Sequence, residues 1–261
     1  MQVILHNISG PLERNNLEAS KKLAIIPSCS NTPQLVKVLE AFTGKVVDEI
    51  CIIIDAPAKN EIKLIEHAAE KIFLPVHIIK NDERKGVGFA IRQGINYALD
   101  MNYQIVVVLA GNGKDQPIEI PRLLNPLLSG KYDYVQGSRF LKGGKAVKNP
   151  FFRKTFSWLF PLVWTFLTKF KCTDVTNGFR AYKLSLFRDH RINIWQSWLD
   201  NYELEYYLHY KVITLGYEIK EVPVSKIYPY QHRGGYSNIR PLKDWWKIIG
   251  PLIYLKTGIR E

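Results

Sequence analysis

A chain of 261 residues is long enough to bury one substantial core, and 46% hydrophobic with 23% charged residues is a folded protein's composition, which excludes wholesale disorder. Lys and Arg number 36 against 24 Asp and Glu, and the net charge of +12 favours anionic partners: nucleic acid, an anionic membrane face or phosphorylated substrates. Cys29, Cys51 and Cys172 form neither a Cys-x-x-Cys pair nor a Cys/His cluster, so they read as three reduced thiols in a cytosolic setting rather than a zinc site.

In chain order, residues 1–22 read as a polar extension that lacks the basic flank and apolar core of a secretion signal. From Leu23 onward, short Ile/Val-rich runs alternate with helical patterns. Leu23–Ser28, Glu49–Asp55, Val76–Lys80 and Tyr103–Ala110 are expected to be buried strands of a parallel sheet. Pro33–Phe42, Glu61–Ile72 and Gly86–Leu99 are the helices expected between them, and strand–helix–strand in this order implies a right-handed, Rossmann-like α/β half. A helix (PIEIPRLLNPLL) and a strand (YDYVQGS) follow. Beyond Ser138 come a Gly/Lys-rich stretch, an aromatic run (FFRKTFSWLFPLVWTFLTKFK) and a loop (TDVTNGFRAYK). A helix over Asp200–Thr214, a strand (YEIKEVPV), a basic loop and an amphipathic end with Trp245 and Trp246 complete the chain. No apolar run reaches the roughly 20 residues of a membrane span; the nearest, Phe156–Leu167, is shorter and contains Pro161.

Ligands of open parallel sheets bind beyond the carboxyl ends of the strands. Asp55 ends the second strand, where it could accept a hydrogen bond from a base N–H or serve as a helix cap or turn residue. As a strand-end carboxylate it is expected to be dispensable to the core. ERKGVGFAIRQG, with Lys85, Gly86 and Arg92, places glycines and cations at a loop-to-helix junction suited to a diphosphate, although the glycines could equally shape the turn. LAGNGKDQP ends the fourth strand.

This order of motifs resembles family-2 glycosyltransferases, in particular the branch containing polyprenyl-phosphate sugar synthases, over roughly Leu23 to Lys256. IIPSCSNTPQL, with Pro27 and Ser28, looks like the family's opening strand and donor loop, and IIIDAPAKN like its base-binding Asp strand. DYVQGSRFLKGG, TDVTNGFRAYK and YELEYYLHYKVITLGYEIKEVPV are similar to three further signatures. The resemblance implies an α/β fold of the GT-A type, a mostly parallel central sheet flanked by helices, with C-terminal amphipathic helices. It implies a GT-A domain over 23–240 that includes an interfacial helix at 150–170, then an amphipathic helix at 241–261.

The implied activity is inverting transfer of a sugar from a nucleotide-sugar to a lipid-linked (polyprenyl-phosphate) or cell-surface glycan acceptor. The enzyme would be cytoplasmic and peripheral on the inner face of a membrane. Family members carry Asp-x-Asp after the fourth strand to hold a divalent cation; here those positions are Ala110, Gly111 and Asn112. Mg²⁺ or Mn²⁺ would be held only weakly, by Asn112 and Asp115, because such cations take affinity from anionic oxygens. Lys114, where the branch often carries Gln, could instead offset the diphosphate directly. The resemblance puts a general base at Asp200, Glu203 or Glu205, with a slight preference for Glu203. It puts acceptor contacts at Ser138, Arg139, Arg153 and Arg180, and Arg233 with Ser237 over the donor diphosphate.

The aromatic run interleaves Phe and Trp, including Trp158 and Trp164, with Lys and Arg, which suits a helix lying in the headgroup zone; a buried core helix is the alternative. The cations form no dense tract and no nucleic-acid module is present, so nucleic acid is not an expected partner. A nucleotidyltransferase would carry a Gly-rich loop and basic finger after the first strand, where this chain has PSCSNTPQ. A catalytically inactive nucleotide-binding relative is the remaining rival.

Overall fold

A computed structural model describes residues 19–29, 32–147, 151–228 and 246–260, with 151–159 and 246–249 as backbone only. Strands β1 (Lys22–Cys29), β2 (Glu49–Asp55), β3 (Val76–Asn81) and β4 (Ile105–Val108) alternate with helices α1 (Thr32–Glu40), α2 (Lys59–Glu70) and α3 (Val87–Asp100). Helix α4 (Ile120–Leu128) follows a single 3₁₀ turn at Pro117–Glu119, so the expected helix starts three residues late. Next come β5 (Tyr134–Ser138), β6 (Lys145–Val147), α5 (Phe151–Thr168) and β7 (Arg180–Lys183). The chain continues through α6 (Glu203–Thr214), β8 (Ile219–Pro223), β9 (Ser225–Ile227) and α7 (Trp246–Thr257).

Seven strands form one sheet in the order β3-β2-β1-β4-β7-β5-β8, and β6 pairs with β9 in a separate parallel ribbon. All neighbours pair in parallel except β7, which runs antiparallel to both β4 and β5. The sequence pattern shows β7 only as the tail of a loop; its four residues become a strand by filling the gap between β4 and β5. The expected strand YEIKEVPV is observed as β8 over Ile219–Pro223, and β9 starts just beyond it at Ser225.

Alternation along β1 divides the core. Ala24 and Ile26 face one layer with Leu35, Leu39 and Leu123, while Leu23 and Ile25 face the other with Ile91, Ile95 and Leu208. Each fully buried aliphatic side chain contributes about 1.5–3 kcal/mol, so the two layers dominate stability. Helix α3 lies tight on β1: a Cβ on Gly94 would stand 2.6 Å from Ile25 Cγ2. A third cluster joins α5, α6 and α7 through Phe160, Trp164, Tyr206 and Leu252. Among the described residues no helix is long and apolar enough to cross a membrane.

Candidate active site

Because β7 alone opposes the others, the carboxyl ends of β1, β2, β3, β4 and β5 share one edge of the sheet, and Arg180 opens β7 at that edge. Asp55 ends β2 there. It is only 3% exposed, and it does not stand free: Oδ2 accepts the amides of Lys85 (3.0 Å) and Gly86 (2.9 Å), and Oδ1 accepts Asn81 Nδ2 (2.9 Å). Asn81 is in turn bonded to Gln93 on α3. The carboxylate therefore anchors the start of α3, which corrects the expectation that it is dispensable to the core.

The glycines of that junction serve the chain itself. Gly86 has φ +108°, a conformation that favours glycine. A Cβ on Gly88 would stand 2.0 Å from the Leu199 carbonyl oxygen, and one on Gly86 2.4 Å from that of Asp200. Phe89 donates its amide to the Asp200 carbonyl at 3.0 Å. The helix start expected to cradle a diphosphate is thus packed against the segment 199–201. Arg92 joins the same contact: Nη1 donates to the Ile194 and Gln196 carbonyls (3.1 and 3.0 Å), and Nη2 pairs with Asp200. It also borders a groove of about 440 Å³ along α3, with Phe89, Gln93, Tyr97 and Trp195. Lys85 is exposed at the sheet edge, paired with Glu83.

Buried Pro27 accepts the Gly111 amide (3.2 Å) through its carbonyl, which brings the loop after β4 onto the end of β1. Gly111 lies so close to Ser28 that a Cβ would meet Ser28 Oγ at 3.1 Å, and that buried hydroxyl has no hydrogen-bond partner among the described residues. In the same loop Asn112 Oδ1 accepts the Lys114 amide (3.2 Å). Lys114 Nζ stands 5.6 Å from the centre of the Tyr228 ring.

Asp115 is 1% exposed. Its Oδ1 accepts Lys226 Nζ at 2.8 Å and its Oδ2 the Ala110 amide at 3.1 Å. Lys226 also donates to Asn177 Oδ1 at 2.9 Å. Ala110 offers no oxygen side chain, and no group of three or more His, Cys, Asp or Glu able to hold a metal occurs among the described residues. These residues do not fit Mg²⁺ or Mn²⁺, which need several anionic or carbonyl oxygens. The lone carboxylate considered as a relocated ligand is already neutralised by a lysine.

The arginines expected at the acceptor are engaged inside the fold. Arg139 is fully buried and bonds Asp174 through Nε (2.7 Å) and Nη2 (2.6 Å), Thr176 through Nη2 (2.6 Å) and Tyr228 through Nη1 (2.7 Å). Burial alone would lower its pKa, but the Asp174 carboxylate holds it above the ordinary guanidinium value. Arg180, equally buried, donates to the carbonyls of Asn177 (2.8 Å), Val175 (2.7 Å) and Glu205 (2.6 Å). Buried Ser138 shares a 2.6 Å hydrogen bond with Thr173, whose amide is bound by Glu221. Burial raises the Glu221 carboxyl even against the Thr173 hydrogen bonds.

These bonds shape the segment between α5 and β7 and press it onto the first turn of α6. There Gly178 admits the Glu205 carboxylate, since a Cβ would stand 2.5 Å from Oε1. Glu203 opens the helix, half-buried. Asp200, paired with Arg92, precedes it. The three carboxylates therefore follow one another along the segment that packs on α3 and on the Asn177–Arg180 turn.

On α5, Trp164 is 0% exposed, packed on Tyr206 and His209, so it belongs to the core; this corrects its placement among the interfacial aromatics. Among the described side chains of α5, the exposed large apolar ones are Leu162, Val163 and Phe166, the last 73% exposed. The Arg153 and Trp158 side chains, and Arg233, Ser237 and Trp245, lie outside the described residues. Lys226, Asp174, Asn177 and Tyr228 were not singled out from the sequence, where a lysine in VSKIY reads as a surface charge; the TDVTNGF signature was the available signal for Asp174 and Asn177.

The chain is 31% identical to undecaprenyl-phosphate mannosyltransferase of Micrococcus luteus over 58% of its own length, and spans 60% of that protein. It is 26% identical to the UDP-N-acetylglucosamine–dolichyl-phosphate N-acetylglucosaminyltransferase of Methanococcus voltae, over 90% of this chain and 95% of that one. Glucosyl-3-phosphoglycerate synthase of Mycobacterium tuberculosis, crystallised with Mn²⁺, UDP and phosphoglyceric acid, shares the fold. Its TM-score is 0.66 at 16% identity, over 95% of this chain and 83% of that one. The profile described as glycosyl transferase family 2 matches residues 24–191, and with its mostly parallel sheet of the GT-A type the chain belongs to that family.

Proposed function

We propose that this chain transfers a sugar from a nucleotide-sugar to the phosphate of a polyprenyl-type lipid at the cytoplasmic face of a membrane, with inversion at the anomeric carbon. The observation that carries the lipid acceptor is the exposed face of α5. Leu162, Val163 and Phe166 are flanked by exposed Lys169 and Lys171, on a helix packed against α6, whose first turn bears Glu203 and Glu205. Apolar side chains beside cations suit the boundary between acyl chains and anionic headgroups. The names of the Micrococcus and Methanococcus relatives point to the same acceptor class.

On the donor side, Asp55 and Ser28 border the nucleoside, and Lys114 meets the diphosphate. An oxygen of the lipid phosphate attacks the anomeric carbon as the bond from that carbon to the diphosphate breaks, and the electron pair leaves with the nucleoside diphosphate. The attacking phosphate is already ionised, so no base need remove a proton. Asp200, Glu203 and Glu205 then orient the sugar and the loop, with Arg139 and Arg180 as positioning residues behind them.

Thermal-shift measurements against a panel of nucleotide-sugars test this reading. One donor class should raise the melting temperature, and Lys114→Met should weaken that donor at least about tenfold, the loss expected when a charge-assisted hydrogen bond of about 1.5–3 kcal/mol disappears. No shift with any nucleotide-sugar would overturn it.

A further inference from the structure

Asp115 and Lys226 are 111 positions apart in the chain, yet they form a buried ion pair beside the loop after β4, where the family resemblance implies a metal-binding acidic pair. The pairing is built by the backbone. Asp115 and Lys226 form an antiparallel bridge, and Ile227 donates its amide to the Lys114 carbonyl at 2.9 Å. This docks β9 along the loop after β4 and turns the Lys226 ammonium inward, 6% exposed, onto Asp115 Oδ1 and Asn177 Oδ1. Asn177 is itself fixed, donating to the Gly137 carbonyl at 3.0 Å. A lysine is seldom buried unless paired, and here its partners are the oxygens that a divalent ion at this loop would need.

We infer that the Lys226 ammonium is a built-in cation of the donor site, occupying the ligand field of a divalent metal, excluding that metal, and leaving Lys114 to face the diphosphate. Only the last part rests on the nucleotide-sugar reading above. Two arguments support the rest. A divalent ion drawn to Asp115 would have to displace an ammonium already 2.8 Å from the carboxylate, or bind beside a fixed positive charge. Secondly, Lys114 on the loop and Lys226 on β9 set two ammonium groups beside the one carboxylate of Asp115, so this corner holds a net positive charge toward an anionic donor without any metal.

Manganese titrations, with unbound Mn²⁺ counted by electron paramagnetic resonance, test the exclusion directly. The native chain and Ala110→Asp/Asn112→Asp should leave Mn²⁺ free. Adding Lys226→Met to that pair should raise Mn²⁺ affinity at least tenfold. Tight Mn²⁺ binding by the native chain, or equal affinity with and without Lys226, would overturn the inference. Removing one partner of a buried ion pair can unfold a protein, so a second measurement uses the native chain alone. Calorimetric titration with UDP and with GDP should give the same affinity in Mn²⁺ as in EDTA, and a tenfold loss in EDTA would overturn the inference. If neither diphosphate binds, the nucleotide-sugar reading is decided by the donor panel, and the manganese titrations decide the role of Lys226.

Discussion

The Gly86 amide donates to Asp55 Oδ2 at 2.9 Å, so the carboxylate that ends β2 also closes the start of α3. With Lys85 on the same oxygen and Asn81 on the other, three donors converge on one buried side chain. Asp55 therefore joins two strand ends and a helix.

Asp55→Ala should consequently do two things. It should lower unfolding stability by about 1.5–3 kcal/mol, the worth of hydrogen bonds to a charged group, and it should weaken nucleotide binding. Thermal melts and nucleotide titration of the same preparation separate the two effects. An unchanged melting temperature would contradict the anchoring role.

His209 gives a pH dependence with a definite sign. It is fully buried on α6, bonded to Tyr134 through Nδ1 at 3.1 Å, with Trp164 and Arg180 also near it. Burial first, and then the Arg180 charge, hold its imidazole well below the ordinary value. The unfolded chain thus binds a proton near pH 6.5 that the folded chain does not, and stability must fall as pH drops below that value. The cost approaches about 1.4 kcal/mol per pH unit. Glu221, whose carboxyl is raised by burial, adds a slope of opposite sign above the ordinary carboxylate range. Melts of the native protein and His209→Gln between pH 7.5 and 5.5 should show the steeper decline in the native protein; parallel curves would contradict the assignment.

The exposed face of α5 makes a separate prediction. Leu162→Ser/Phe166→Ser should reduce partition to anionic vesicles at least about tenfold, since each large side chain loses up to about 1.5–3 kcal/mol of burial. The double variant should melt like the native protein, because both residues are exposed. Trp164→Ser should instead destabilise the fold by about 3–5 kcal/mol, as removal of a buried aromatic does. Vesicle binding that is unaffected by the exposed pair would contradict the interfacial reading.

The α/β half was legible in the sequence because each Ile/Val run is bounded by turn residues and the helices keep their own period. β7 was not, because RAYK carries two cations in four residues and becomes a strand only between β4 and β5. Trp164 was placed on the wrong side because the run is aromatic throughout. The core positions Phe160 and Trp164 recur at i and i+4, while Leu162, Val163 and Phe166 take the other face. The glycines of the junction read as suited to a diphosphate or as turn residues, and nothing local showed that Gly88 admits the chain's own 199–201 backbone. Lys226 was invisible for the same reason as β7. Its environment comes from a strand docking on a loop over a hundred residues away, and no local pattern encodes that.

The most direct test of the account is transfer itself. The native protein is incubated in EDTA with vesicles containing a polyprenyl phosphate and with each nucleotide-sugar, and released nucleoside diphosphate is counted against lipid-linked sugar. The account predicts that one donor gives the two products in equal amounts, with inverted configuration at the anomeric carbon. A donor that binds and shifts the melting temperature yet yields neither product, with or without Mn²⁺, would contradict it and identify a nucleotide-binding protein that does not turn over.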